Sequence, residues 1–242
     1  MMQYLNAELL KFKRTFTKKL VFIAPVVLLF LTWFLAIIWF QINAFNWWYA
    51  LLLPGYITLI SVLSDQKESK KLHYRAVLAL PVSLKKVWIA KVLTLVLYVT
   101  LSCMILLAGI LLGGFLIPNP ISIDRACLGM ILVVVTAIWQ IPLCMFLSRK
   151  IGMLGTILIN ICVGLALGFW LVSKSFWWIC PYSWTIRIMT PVLGILPNGT
   201  LAKSGDLLLN PSSIPIGISL SLLLFVILTI STVYWFQNQE VE

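Results

Sequence analysis

Polar residues fall in widely spaced clumps along this chain, and the stretches between them carry no charge. These charge-free runs cover residues 20–42, 47–63, 92–117, 126–147, 151–172 and 215–236. A bilayer core of about 30 Å needs roughly 20 helical residues to cross it. Each run reaches that length or comes close, so the pattern predicts six transmembrane helices in an all-α polytopic membrane protein. The run 47–63 is the shortest, and 92–117 is long enough to need tilt. The run 20–42 is over-long for a signal-peptide core, and the NAFNWWY after it offers no small-residue cleavage site, so it reads as a retained span.

The segments outside the runs have patterns of their own. In residues 2–19, Leu5, Leu9, Phe12 and Phe16 recur at helical spacing, with Lys11, Arg14 and Lys18 off that stripe. Such a helix suits the cytoplasmic membrane interface; the plainer reading is a block of positive charge that only orients the first span. Residues 173–213 are too apolar for an ordinary loop, yet Pro181, Pro191, Pro197 and Pro211 cut them into pieces too short to cross. That combination predicts a re-entrant or interfacial hairpin on the outer face. Trp177, Trp178, Tyr182 and Trp184 are expected there at headgroup depth, opposite Trp39, Trp47, Trp48 and Tyr49 from the first outer turn. An aromatic belt explains them by default; a site gripping an amphipathic ligand is the sharper alternative. Asn198-Gly-Thr matches a glycosylation sequon, which has meaning only in a eukaryotic host.

The most charged stretch, DQKESKKLHYRAVLALPVSLKK over 65–86, lies between the second and third runs. At ~3 kcal/mol each, burying its eight charges at span depth would cost roughly 24 kcal/mol, which places the island in water or at the interface. Leu72, Val77, Leu78 and Leu80 give it apolar contacts, Pro81 breaks it, and Ser83 is positioned to cap a new helix from Leu84 through Lys91. A short helix followed by a basic helix start would form a surface able to receive a push from a soluble motor. A solvated connector that merely enforces topology fits the same residues. Gln140 and Asn160 are the most polar residues inside the runs, where they could line a substrate path or bond neighbouring helices together. Pro142 is expected to kink the fourth span. Gly109 with Gly113, and Gly164 with Gly168, make GxxxG pairs that permit close helix approach.

Composition agrees with this picture: 62% of residues are hydrophobic, 10% are charged, and the mean hydropathy is +1.04. Six spans leave no room for a folded soluble domain. The net charge of +11 is distributed by topology. Lys11, Lys13, Arg14, Lys18 and Lys19 precede the first run; Lys67, Lys70, Lys71, Arg75, Lys85, Lys86 and Lys91 lie between the second and third; Arg149 and Lys150 lie between the fourth and fifth. The opposite loops hold only Arg125, Lys174, Arg187 and Lys203. By the positive-inside rule both termini are cytoplasmic, and a nucleic-acid partner is not expected. The five cysteines are scattered without a CxxC pair and read as apolar filler. Cys127 and Cys180 both face outward in this topology, but their spacing does not argue for a bridge.

The residues of common catalytic centres are missing. The runs contain no Asp or Glu, the single histidine is His73 in the island, no HExxH or GxxxxGK[ST] motif occurs, and no GxS motif places a nucleophile. The expectation is a chain that binds no metal or cofactor and does not hydrolyse ATP. It resembles the membrane half of something larger.

The segment ALPVSLKKVWIAKVL resembles the "LPxS…K" start of the third span in ABC-2 type permeases. LKFKRTFTKKL, NWWYALLLPGYITLI, IWQIPLCMFLSRKIGM, WWICPYSWTIRIMTPVLGILPNG and STVYWFQNQEVE are similar to the permeases of lantibiotic self-immunity transporters, the group of the epidermin, mutacin, nisin and subtilin immunity systems. The likeness runs nearly end to end. It implies a six-span permease in the plasma membrane of a Gram-positive bacterium, paired with a second, similar permease and two copies of a cytoplasmic ATPase. ATP and Mg would be held by that ATPase, and the substrate would be a cationic lantibiotic peptide expelled from the membrane. The resemblance also makes 66–80 the coupling loop, with Lys67, Glu68, Lys70, Lys71, His73, Tyr74 and Arg75 as candidate ATPase contacts. In being lysine-rich without glycine, this loop departs from the commoner exporter pattern. Trp47, Trp48, Trp177, Trp178, Tyr182, Trp184, Gln140 and Asn160 are the candidate substrate contacts. Competing readings are an export permease for another amphipathic substrate, an energy-independent membrane protein that sequesters peptide, and a polytopic membrane enzyme, the last disfavoured by the missing catalytic groups.

Overall fold

A backbone out of water must satisfy its own N–H and C=O groups, so long apolar runs become helices. The computed structural model of the protein describes residues 1–13, 15–72, 83–116 and 121–238, with the side chains of 67–72 outside the description. Regular structure among the described residues is helical, apart from an isolated antiparallel bridge between Ile195 and Leu201. The α-helices in chain order are α1 (Met2–Phe12), α2 (Phe16–Leu35), α3 (Phe40–Trp47), α4 (Leu53–Leu72) and α5 (Leu84–Gly114). They continue as α6 (Ile123–Ala137), α7 (Gln140–Ile157), α8 (Gly164–Leu171), α9 (Pro181–Leu193) and α10 (Ser213–Gln237). Wide π turns over Trp48–Leu52 and Leu158–Val163 join α3 to α4 and α7 to α8.

Five stretches among the described residues are long and apolar enough to cross a membrane: Phe16–Leu35, Ile37–Gln66, Leu84–Gly114, Ile123–Leu171 and Ser213–Gln237. The fourth, of 49 residues, is not one straight rod. Asn160 Nδ2 donates to Gln140 Oε1 at 2.9 Å, whereas a straight helix would hold residues so spaced about 30 Å apart. The chain doubles back at Gly152, whose φ of 74° and ψ of −175° leave the helical region. Glycine occupies that region without a Cβ penalty, so the basic pair Arg149–Lys150 and one glycine serve where a loop was expected.

Element boundaries differ from the charge-free runs in physically readable ways. The first run divides at Ala36 (φ −147°, ψ 42°), and residues 40–42 begin the next helix. The amphipathic segment over 2–19 also divides, because α1 ends at Phe12 and 16–19 form the first turn of α2. Helix α1 climbs along α5, with Lys86 Nζ 6.0 Å from the Tyr4 ring and Phe12 edge-on to Tyr98 at 5.7 Å. Ser83 precedes α5 in extended geometry, as expected of an N-cap, but its hydroxyl makes no capping bond. The glycine pairs sit where helices touch. A Cβ on Gly109 would overlap Leu29 of α2, one on Gly113 would overlap Phe40, and one on Gly164 would come within 2.7 Å of the Tyr182 ring.

Helices α2 and α10 present large apolar side chains outward, among them Phe30, Phe34, Leu223 and Ile230. The interior core is built on Leu28, Phe45, Trp48, Leu53, Ile57 and Leu95. Helix α9 lies inside the bundle, with Tyr182 and Trp184 at its foot against Trp139 and Leu193 at its head against Gly129. At 13 residues it is too short to cross.

Candidate functional site

Two buried polar clusters stand out, each built from several helices. The first lies at the end of the bundle where α4 leads into the charged island. Asp65 is buried, and Arg149 Nε donates to its Oδ1 at 2.8 Å. Ser148 Oγ lies 3.3 Å from Asp65 Oδ2. The Arg149 guanidinium is packed by three rings, 4.6 Å from Phe236, 5.1 Å from Trp88 and 5.6 Å from Trp235. Trp88 Nε1 donates to Thr232 Oγ1 at 3.0 Å, which ties the start of α5 to the end of α10. Lys91 is also buried at this end of α5. Four helices are thereby pinned around one ion pair.

This corrects the expectation that the island's charges all lie in water or at the interface. The penalty used there is for a charge without a partner. Mutual attraction and hydrogen bonds offset much of that cost for a close pair, and cation–π contact adds to it for a desolvated arginine. Sequence reasoning passed over Asp65 and Arg149 because they stand far apart in the chain and next to solvated charges. The available signal was the cluster Trp88, Trp235 and Phe236 close to basic residues.

The second cluster lies deeper. Asn160 Nδ2 reaches Gln140 Oε1 and Thr58 Oγ1, each at 2.9 Å, and Pro54 O at 3.2 Å. Tyr182 OH donates to Asn160 Oδ1 at 3.0 Å. The two most polar residues of the runs are thus bonded to each other and, through Asn160, to two further helices, α4 and α9. Both π turns border this cluster. Pro54 has no N–H and its ring crowds the carbonyl four residues back, so the preceding turn widens. A cavity of about 20 Å³ beside Gln140, Asn160, Tyr49 and Tyr182 has room for one water molecule.

The outer aromatics separate into two groups. Trp48, Trp177 and Trp184 are buried, and Trp47 and Tyr182 are half-buried. Trp48 Nε1 donates to Cys103 Sγ at 3.4 Å, and Trp184 Nε1 donates to the Trp178 carbonyl at 2.9 Å. Trp178 is 52% exposed, alongside Trp39, Phe176 and Ile179. Arg187, from α9, stacks over Trp177 at 5.9 Å; burial lowers its pKa while the Asp206 carboxylate opposes that shift. Cys127 and Cys180 are both free thiols. No group of His, Cys, Asp and Glu among the described residues could hold a metal ion.

Helix α4 continues unbroken from Asp65 through Leu72. The side chains of Lys67, Glu68, Lys70 and Lys71 fall outside the described ones, and His73, Tyr74 and Arg75 lie outside the described residues. The segments that carried the resemblance meet in space. Trp88, Arg149, Trp235 and Phe236 come from three of them and Pro54, Thr58, Gln140 and Tyr182 from another three, one being common to both sets.

A helical bundle with five stretches long and apolar enough to cross a membrane, and a helix leading from a buried charge pair into a charged segment of the sequence, is compatible with a membrane transport subunit. A family model described as "ABC-2 family transporter protein" matches residues 16–196, and the chain belongs to that family. It is a membrane permease of an ABC transporter, a class that works with an ATP-binding subunit. No curated protein and no solved structure gives a significant match.

Proposed function

We propose that this permease exports a cationic, amphipathic antimicrobial peptide of the lantibiotic type from the cell membrane, giving the producing cell self-immunity. Family membership supports the transport role. Similarity of five segments to immunity permeases supports the substrate class. The chain crosses the membrane six times with both termini cytoplasmic, the doubled-back 123–171 stretch supplying two crossings, and 173–213 forms a re-entrant outer element. A second, similar permease completes the pathway, and two copies of a cytoplasmic ATPase hold ATP and Mg.

The observation that carries the coupling is helix α4. Its Asp65 is fastened to Arg149 within the bundle, and the same helix runs on to Leu72. A push on 66–80 would therefore be transmitted to the helices that Asp65 and Arg149 join. At the outer end, exposed Trp39, Phe176, Trp178 and Ile179 offer amphipathic contact in a region poor in positive charge.

The decisive experiment is purification with the neighbouring ATPase followed by peptide-stimulated ATP hydrolysis. Stimulation by a lantibiotic, with peptide released to the medium only while ATP is hydrolysed, is the expected result. Release that continues without hydrolysis would leave the energy-independent sequestering protein as the better reading. Replacing Glu68, Lys70, Lys71 and Arg75 by Ala is expected to leave insertion intact and abolish ATPase association in a pull-down.

A further inference from the structure

Where α1 gives way to α2 the chain bends, and the bend leaves a wedge against α5. An open groove of about 530 Å³ lies there, lined by Asn6, Leu9, Leu10, Lys13 and Lys18, with Leu97, Tyr98 and Leu101 of α5. A second groove of about 490 Å³ adjoins it, sharing Lys13 and Lys18 and adding Thr15, Lys19 and Phe22. Neither lining contains a carboxylate. The nearby Glu8 is buried and paired with Lys11 at 2.6 Å.

The depth of this wedge is set by its neighbours. Leu97 and Leu101 lie a turn or two inside the charge-free run of α5, and Lys18 and Lys19 stand in the first turn of α2. Cations therefore sit directly over exposed leucines at a membrane boundary: Leu10, Leu97 and Leu101 are all exposed. Isolated snorkelling lysines need no groove. Here an apolar floor continues beneath the charges, which matches the shape of a lipid with an anionic head and an acyl chain.

We infer that the wedge formed by Lys13, Lys18, Lys19 and the Leu97–Leu101 face is a binding site for an anionic phospholipid, of the phosphatidylglycerol type, in the leaflet that faces the N-terminus. The phosphate sits among the lysines, with the Asn6 side-chain amide able to donate to its oxygens, and one acyl chain follows Leu97 and Leu101. Bound lipid fills the bend between α1 and α2 and so holds α1 against α5. The leaflet assignment rests on the orientation proposed above; the site itself does not. Near an anionic surface each lysine contributes about fivefold in affinity, so Lys13 and Lys18 together give about 25-fold.

The test is native mass spectrometry of the full chain released from bilayer nanodiscs holding equal phosphatidylglycerol and phosphatidylcholine, where both faces are accessible whatever the orientation. The expected result is preferential retention of phosphatidylglycerol, falling towards parity in K13Q/K18Q and unchanged in K174Q/K203Q, whose lysines lie on the other side. Leu101→Trp, which fills the groove and keeps the lysines, is expected to weaken retention as well; it stands in should K13Q/K18Q fail to insert. Equal retention of both lipids by the natural sequence would overturn the site. So would an equal loss in K174Q/K203Q, or displacement of the lipid by inorganic phosphate alone, which would mark a bare anion patch. Failure of peptide export in cells would bear on the proposed function and leave this result standing.

Discussion

Asp65 and Arg149 are held out of water by each other and by three aromatic rings, and that sets what their replacement does. Removing one partner leaves a buried charge uncompensated, which costs about 3–5 kcal/mol. Asp65→Asn or Arg149→Met is therefore expected to lower the melting temperature sharply in detergent. The double variant D65L/R149M removes both charges and is expected to recover most of that stability, because an apolar pair of similar volume is near neutral at such sites. A double variant as unstable as the singles would mean that the pair is not the binding element. Asn160 poses a different question, since it joins Gln140, Thr58, Pro54 and Tyr182 at once. Asn160→Leu is expected to cost about 1–3 kcal/mol for each polar group it leaves buried without a partner, which a thermal melt compared with Thr58→Val would detect. At this scale the sequence showed which residues were unusual. Their meeting was not visible in it, because a hydrogen bond between residues 140 and 160 exists only if the chain folds back between them.

At the scale of elements, the turn at Gly152 decides the most. A Cβ there would meet nothing within 4 Å, so the difficulty of substitution is conformational and not steric crowding. Gly152→Ala is expected to cost about 1–3 kcal/mol through backbone strain and to loosen the returning arm, residues 153–171, from residues 140–151. Limited proteolysis near residue 152 together with a melt would report both effects. The helices themselves were largely legible: apolar length demands them wherever the backbone must satisfy itself without water. Their ends were less so. Charge marks where a chain may meet water, but the first charge-free run divides at Ala36 and its residues 40–42 begin the next helix, whereas the start of α5 at Leu84 was legible from Pro81 and Ser83. The outer segment shows the same limit. Proline spacing predicted pieces too short to cross, while only packing turned Trp177 and Trp184 inward and left Trp178 exposed. Trp178→Ala is accordingly expected to reduce protection against peptide with normal expression and melting temperature; unchanged protection would return Trp178 to an anchoring role.

At the scale of the whole molecule, the outward faces of α2 and α10 and the charged segment after Asp65 mark what this chain leaves for lipid and partners. Composition alone determined that the solvent is a membrane, because 62% hydrophobic residues with so few charges cannot be covered in water. The order of apolar runs and the bias of basic residues determined helical class and expected orientation, since both depend on local transfer cost and on counting charge. Tertiary structure decided which charges are buried, which polar side chains satisfy one another and where the 49-residue stretch reverses. Those outcomes depend on distances between residues remote in sequence, and hydropathy carries no information about such distances.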